Sequence, residues 1–329
     1  MLAFIKKRIR ALAARHQALI LTYHSIVPEP LPFPVSQHLS AAVFEKQMAL
    51  LAARFHCVSL STLIGQIEQG RIKPYTVALT FDDGFYNNFS VAYPVLRRYR
   101  LPATFFLTAG YVGTDKLLWP ETIACALATT ETHELLIDGH RLSLITAAEK
   151  ATAYQTLTRG FKGCAPHEAA ERVAQILRLT HLTPNDLQTS LLHKQFRMLG
   201  WDEVKKMAAS HLVEIGSHTL LHPRLSRVSD DDARAEIVNS KQLLEQHVGP
   251  VHYFAYPYGG RPGDFDEQHR TIAIDAGYKA ILTAMHGTVT IASDKYGLPR
   301  VSVSANTSFE EFDYLLHGGA ARMAQTSPH

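Results

Sequence analysis

Cysteine is scarce in this chain of 329 residues. Cys57, Cys125 and Cys164 are odd in number, widely spaced and without a Cys-x-x-Cys pair. That pattern argues against a disulfide framework and against a cysteine-based zinc site. Net charge is also small, +3 with histidine neutral. With no basic run interleaved with aromatics, nucleic acid is not expected as a partner. No window of about 18 apolar residues exists, so no spanning helix is expected. A clean secretory signal is missing too: Arg15, His16 and Gln17 interrupt the apolar stretch after the basic cluster Lys6, Lys7, Arg8 and Arg10. The expectation is a cytoplasmic protein that opens on a basic surface helix. Peripheral contact of that helix with an anionic membrane is the alternative. There is no internal repeat and no low-complexity segment, and nothing in the pattern sets an oligomeric state.

What is present is an ordinary globular composition, 46% apolar and 19% charged. Short apolar runs alternate with amphipathic stretches, the pattern of an α/β fold with a mostly parallel sheet. ALILTYH (18–24), TVALTF (76–81), ATFFLTAG (103–110), VHYFAYP (251–257), YKAILTAM (278–285) and LPRVSVS (298–304) read as strands. Ser40 and Ser229 are placed to cap helices, and Gly249 to stop the second of these. Between residues 115 and 200 the alternation gives way to Ala-, Leu- and Thr-rich helical segments. The expected organisation is a core domain over 1–114 and 201–310, a helical insertion over 115–200 and a tail over 311–329.

Chemistry concentrates in two places. VALTFDDGFYNN (Val77 to Asn88) runs an apolar strand straight into adjacent carboxylates, Asp82 and Asp83. Two like charges at a strand end cost energy unless a cation or a proton sits with them. EIGSHTLLHPRL carries His218 and His222 four residues apart, so both imidazoles can face one point, and Pro223 argues for a strand-end loop or a single turn rather than a long helix. Each signal alone is weak, since Asp-Asp-Gly is also good turn chemistry and most of the 18 histidines are ordinary surface or core residues. Together, at the carboxyl ends of parallel strands where ligands converge, two histidines and one carboxylate suit a catalytic divalent metal. The remaining aspartate is then free to act as a general base.

Three stretches in register, TFDDG (80–84), SHTLLH (217–222) and YPYG (256–259), resemble the polysaccharide deacetylases, the NodB-like metal-dependent carbohydrate esterases. The resemblance implies a distorted (β/α) barrel of seven or eight mostly parallel strands. It also implies that Asp83, His218 and His222 hold the metal, that Asp82 is the base, and that the Tyr258 backbone N–H helps to hold the oxyanion. Zinc heads the expected metals; cobalt, nickel, iron and manganese accept the same ligand set. Two departures stand out. Ala255 occupies the place of the family's arginine in the third motif, and the C-terminal Leu-x-His that supplies the general acid is missing from its usual position. His286 is a poor match for it. His24, delivered by the first strand, fits better and looks like the circularly permuted branch, in which the last barrel strand moves to the N-terminus. Arg300 is the candidate to replace the missing arginine, with a plain surface or salt-bridging role as the alternative. The implied activity is removal of an N-acetyl group from an amino sugar of a polysaccharide or of an envelope or exopolysaccharide precursor. A hydrolase of another C–N bond or of an O-acyl ester, and a glycan-binding barrel without turnover, are the competing readings. Trp201 is a candidate sugar-site aromatic or simple packing.

Overall fold

Strands that read as unbroken apolar runs belong in a parallel sheet covered on both faces, and the computed structural model shows this arrangement. The structure describes residues 17–320 apart from Ser36, Lys162 and Pro262. The expected basic N-terminal helix therefore lies outside the described residues. In chain order the strands are β1 Leu19–Tyr23, β2 Ser25–Val27, β3 His38–Ser40, β4 His56–Val58, β5 Thr76–Phe81, β6 Ala103–Leu107, β7 Glu134–Ile137, β8 His140–Ser143, β9 Val213–Ser217, β10 Tyr253–Ala255, β11 Ala280–His286 and β12 Leu298–Ser302. The main sheet runs β1-β12-β11-β10-β9-β6-β5-β4, and β1 also pairs with β5. That second pairing closes seven parallel strands into a barrel and leaves β4 as an outrigger on β5. The first strand thus fills the gap between β5 and β12, with Leu21 opposite both Leu79 and Val301.

Alternation along each strand sorts side chains into two sets. Leu19, Leu21 and Tyr23, Val77, Leu79 and Phe81, and Ala103, Phe105 and Leu107 join the cluster shared with the surrounding helices. Ile20, Ala78, Phe106, Ala255, Leu282 and Leu298 form the other cluster, which the helix Leu60–Glu68 joins through Leu60, Leu63, Ile64 and Ile67. Burying each large side chain contributes about 1.5–3 kcal/mol relative to exposure. The same alternation puts Thr80 and Asp82 in the inward phase with Ala78, on the side where Arg300 follows Leu298. Gly216 belongs to this tight interior, since a Cβ there would stand 2.5 Å from the Phe106 ring.

Helices form where caps and apolar faces coincide. Ser40 accepts from the Val43 N–H at the start of Ala41–Arg54, and Ser229 accepts from Asp232 N–H at the start of Asp230–Val248. Between the barrel halves, Trp119–Thr129 packs against Ala147–Arg159, Pro166–Leu179 and Leu191–Phe196 around a separate core. This region is not wholly helical: β7 and β8 make an antiparallel hairpin through Asp138 and Gly139, both at positive φ. Leu135 and Ile137 alternate with exposed neighbours on a run too short for periodicity to reveal. Val27, Phe33 and Val35, before the first barrel helix, also join that core. At the other end, residues 309–320 are more than a tail: Phe312, Leu315 and Leu316 are buried against the barrel. Among the described residues no helix is long and apolar enough to cross a membrane.

Candidate metal centre and its cavity

β5 delivers the two aspartates in unlike conformations. Asp82 continues the strand, its N–H donating to the Tyr23 carbonyl at 2.9 Å. Asp83 then turns to φ +73 and Gly84 to φ +91. A Cβ on Gly84 would meet Leu107 at 3.1 Å, so the third letter of Asp-Asp-Gly answers both to the left-handed backbone and to a close neighbour. The kink splits the pair: the Asp82 carboxylate faces Arg300, and the Asp83 carboxylate faces the histidines.

β9 ends at Ser217 and hands the chain to a loop in which Thr219 and His222 both have positive φ. Glu236, from the helix Asp230–Val248, holds that loop by accepting the Leu220 and Leu221 N–H groups at 2.8 and 2.7 Å. His218 Nδ1 lies 2.8 Å from the Ala255 carbonyl, which fixes a donating Nδ1 and leaves Nε2 as the free lone pair. Nε2 of His218 and of His222 stand 3.5 and 3.2 Å from Asp83 Oδ1. That oxygen is buried without a hydrogen-bond partner. Ligand atoms of Asp83, His218 and His222 all lie within 4.8 Å of one another. Two imidazole nitrogens and an orphaned carboxylate oxygen converging on one point fit a divalent cation.

Asp82, 2% exposed, is gripped by Arg300, 3% exposed, in a two-pronged pair: Nη1 donates to Oδ1 and Nη2 to Oδ2, each at 2.8 Å. Arg300 Nε donates to the Thr283 carbonyl, so the guanidinium is itself held in place. Burial works to raise the Asp82 carboxyl, yet Arg300 and His218 hold it below the usual carboxylate range. For Asp83 burial is again outweighed, here by His222, His24 and His218, and its carboxyl is pushed well down. Burial takes His218 down to about 4, so it is neutral at physiological pH. His222 goes the other way: burial would lower it, but the Asp83 carboxylate carries it above its ordinary value. A proton on His222 and any metal held there would compete for one lone pair. Metal affinity should therefore fall as pH drops through the raised His222 value, and binding near neutral pH should release a proton. Calorimetry in two buffers of unlike ionisation enthalpy reads that proton directly; identical heats in both would exclude the competition.

A cavity of about 570 Å³ opens over these groups, lined by His24, Asp83, His222 and Tyr258 among others. His24 is thus brought to the site, its carbonyl fixed by Asn88 Nδ2 at 2.7 Å. His286 is not: it sits half-buried in register with Arg300, away from both large cavities. No described residue accepts the Tyr258 N–H, while its hydroxyl accepts from Trp119 Nε1 at 3.1 Å. Asn87 ties the turn down, accepting the Ile26 N–H and donating to Ser25 and to the Gln195 carbonyl. Trp201 stacks on His247 at 3.7 Å, remote from the cavity. The aromatic wall comes instead from Trp119 and Phe161, stacked at 4.3 Å. Glu121, buried beside His38 at 3.3 Å, completes it. None of Trp119, Phe161, Glu121 or Glu236 stands near a motif, and only the tertiary structure brings them to the site.

A family model described as polysaccharide deacetylase matches residues 69–281. No curated protein matches the chain. Among solved structures it is similar to a deacetylase, PplD, of Streptococcus pyogenes in complex with acetate, at 19% identity and a TM-score of 0.59, over 91% of this chain and 98% of that one. IcaB from Ammonifex degensii is 18% identical with a TM-score of 0.58, over 93% and 98%. A de-N-acetylase from Aggregatibacter actinomycetemcomitans is 18% identical with a TM-score of 0.56, over 90% and 98%.

Proposed function

The chain belongs to the polysaccharide deacetylase family, and we propose that it hydrolyses the N-acetyl group of an amino sugar at a divalent metal held by Asp83, His218 and His222. The observation that carries this reading is the division of labour between adjacent aspartates, one facing two imidazole lone pairs and the other paired with a buried arginine. Zinc is the proposed metal because a two-histidine, one-carboxylate set with open positions suits it. When bound, such an ion polarises the amide carbonyl and makes water a stronger acid.

The chain's own groups do the rest. Asp82, kept ionised by Arg300, takes the proton of the attacking water. Tyr258 lines the site's cavity, and its N–H, which no described residue accepts, donates to the developing oxyanion. His24, facing the same cavity, protonates the departing amine. The stack of Trp119 on Phe161 offers an apolar face to the sugar ring. Ala255 leaves no gap in this scheme, because Arg300 reaches the base from β12; a main reason for reading the barrel as a glycan-binding relic is thereby removed.

The test is acetate release from N-acetylated oligosaccharides, nucleotide sugars and O-acetylated glycans, with metal content measured alongside. Bound metal without turnover on any N-acetylated compound would overturn the proposal. Replacing His24 with Ala should lower N-acetyl turnover by roughly 10²- to 10⁴-fold at unchanged metal content. The loss should be much smaller for an O-acyl ester, whose leaving group needs less help. Equal losses on both substrates would remove His24 from the role of acid.

A further inference from the structure

A second cavity, about 640 Å³ in volume, adjoins the first and shares Leu118, His222, Arg224, Trp119, Phe161 and Tyr258 with it as a common wall. Its size falls within the range of small-molecule sites, yet its chemistry differs from that of its neighbour. Much of the lining is apolar, including Leu117, Ala169, Val173, Leu221 and Val228. Leu221, next to the candidate ligand His222, is 53% exposed. Several of the polar groups around it are already engaged within the protein, although the buried His222 Nδ1 is not. Glu236 takes two loop N–H groups, Arg224 is paired with Asp264, and Thr122 donates to the Leu118 carbonyl. The Tyr258 hydroxyl accepts from Trp119, and Asp232 is tied to the capping Ser229. A sugar placed here would set hydroxyls against a largely apolar lining, and each one buried without a partner costs about 1–3 kcal/mol. A hydrocarbon chain has no such need.

The geometry points to this cavity as the site for an alkyl or isoprenoid chain carried by the substrate on its aglycone side, so that the enzyme acts on a lipid-linked N-acetyl amino sugar. This rests on the proposed deacetylation and narrows its substrate class. The chain belongs to the aglycone and not to the acyl group because of the shared wall. Trp119 is hydrogen-bonded to Tyr258 and stacked on Phe161. Asp83 lines only the first cavity and Leu221 only the second, so this wall stands between a chain in the second cavity and the acyl group's place beside Asp83.

The test uses n-alkyl β-glucosaminides from methyl to octyl, kept below their micellar concentrations. They mimic the deacetylated product and cannot be turned over. Calorimetry on the metal-loaded full chain should show affinity rising about four-fold per added methylene, on the order of 10³-fold between methyl and hexyl. Ala169→Phe and Val173→Trp, which fill the cavity from the helix Pro166–Leu179, should flatten that dependence. Ala169→Leu serves if either larger side chain prevents folding. No dependence on chain length, or the same dependence in the filled variants, overturns the proposal. So does a KM that improves with acyl length in N-acyl glucosamines while the glucosaminide series stays flat. Acetate release from the methyl glycoside of N-acetylglucosamine is recorded in parallel. Its absence, with chain-dependent binding intact, counts against the deacetylation and not against the cavity.

Discussion

Replacing Asp82 with Asn should leave the bound metal nearly unchanged and cut turnover on the true substrate by roughly 10³- to 10⁴-fold. The asparagine oxygen can still accept one of the two Arg300 bonds, at a cost in stability from the lost second bond and the unmatched guanidinium, but the side chain cannot take a proton from water. Asp83, the aspartate that faces His218 and His222, is untouched by the change. Metal analysis beside acetate-release kinetics checks both halves. Wild-type turnover in the variant would remove Asp82 from the chemistry, and loss of metal would mean that the two aspartates are not separable. The mirror variant, Asp83→Asn, should lose the metal first.

Arg300→Met has the larger structural effect. The guanidinium and the Asp82 carboxylate are both almost wholly buried, and breaking a pair of that kind leaves an uncompensated charge at a cost of about 3–5 kcal/mol. The sign in pH follows from the causes at Asp82. Its folded value is depressed, so the pair's contribution to stability is present above the unfolded carboxyl value of about 3.9 and fades as pH falls through the folded one. Without Arg300, burial dominates and the carboxyl rises. The acidic limb of the kcat/KM profile should therefore move to higher pH, and the stability deficit should shrink as acid neutralises Asp82. Thermal melts from pH 4 to 8 and a pH–rate profile measure the two shifts. A variant that melts like the wild type at pH 7 would show that the buried pair contributes nothing.

Much of this site was legible before any coordinates. The phase of TVALTF puts Asp82 inward by simple alternation, and the spacing of His218 and His222 is visible in the letters. Arg300 was a candidate in the letters, but only the structure separates its place beside Asp82 from a surface role. What could not be read was long-range. The barrel's closure by β1 between β5 and β12 matches the permuted arrangement expected from His24, but that expectation rests on the family resemblance and not on a local pattern. Glu236 acts eighteen residues beyond His218, on a helix whose charges look like ordinary surface. Trp119 and Phe161 meet only because the insertion folds over the barrel mouth, and the β7–β8 hairpin is too short to show its period. Trp201, the more conspicuous tryptophan beside a helix start, packs on His247 instead.

The position of β1 bears on how the molecule is made. Leu19–Tyr23 can pair with β5 soon after both are made, but its other edge waits for Val301 and Ser302, far later in the sequence. Until then the nascent sheet is an open half-shell with an exposed strand edge, prone to mispairing. Contacts of such sequence separation also slow folding in general. Asp82 meets Arg300 only when this seam shuts, so the carboxylate and the guanidinium stay unmatched in any state in which the seam is open.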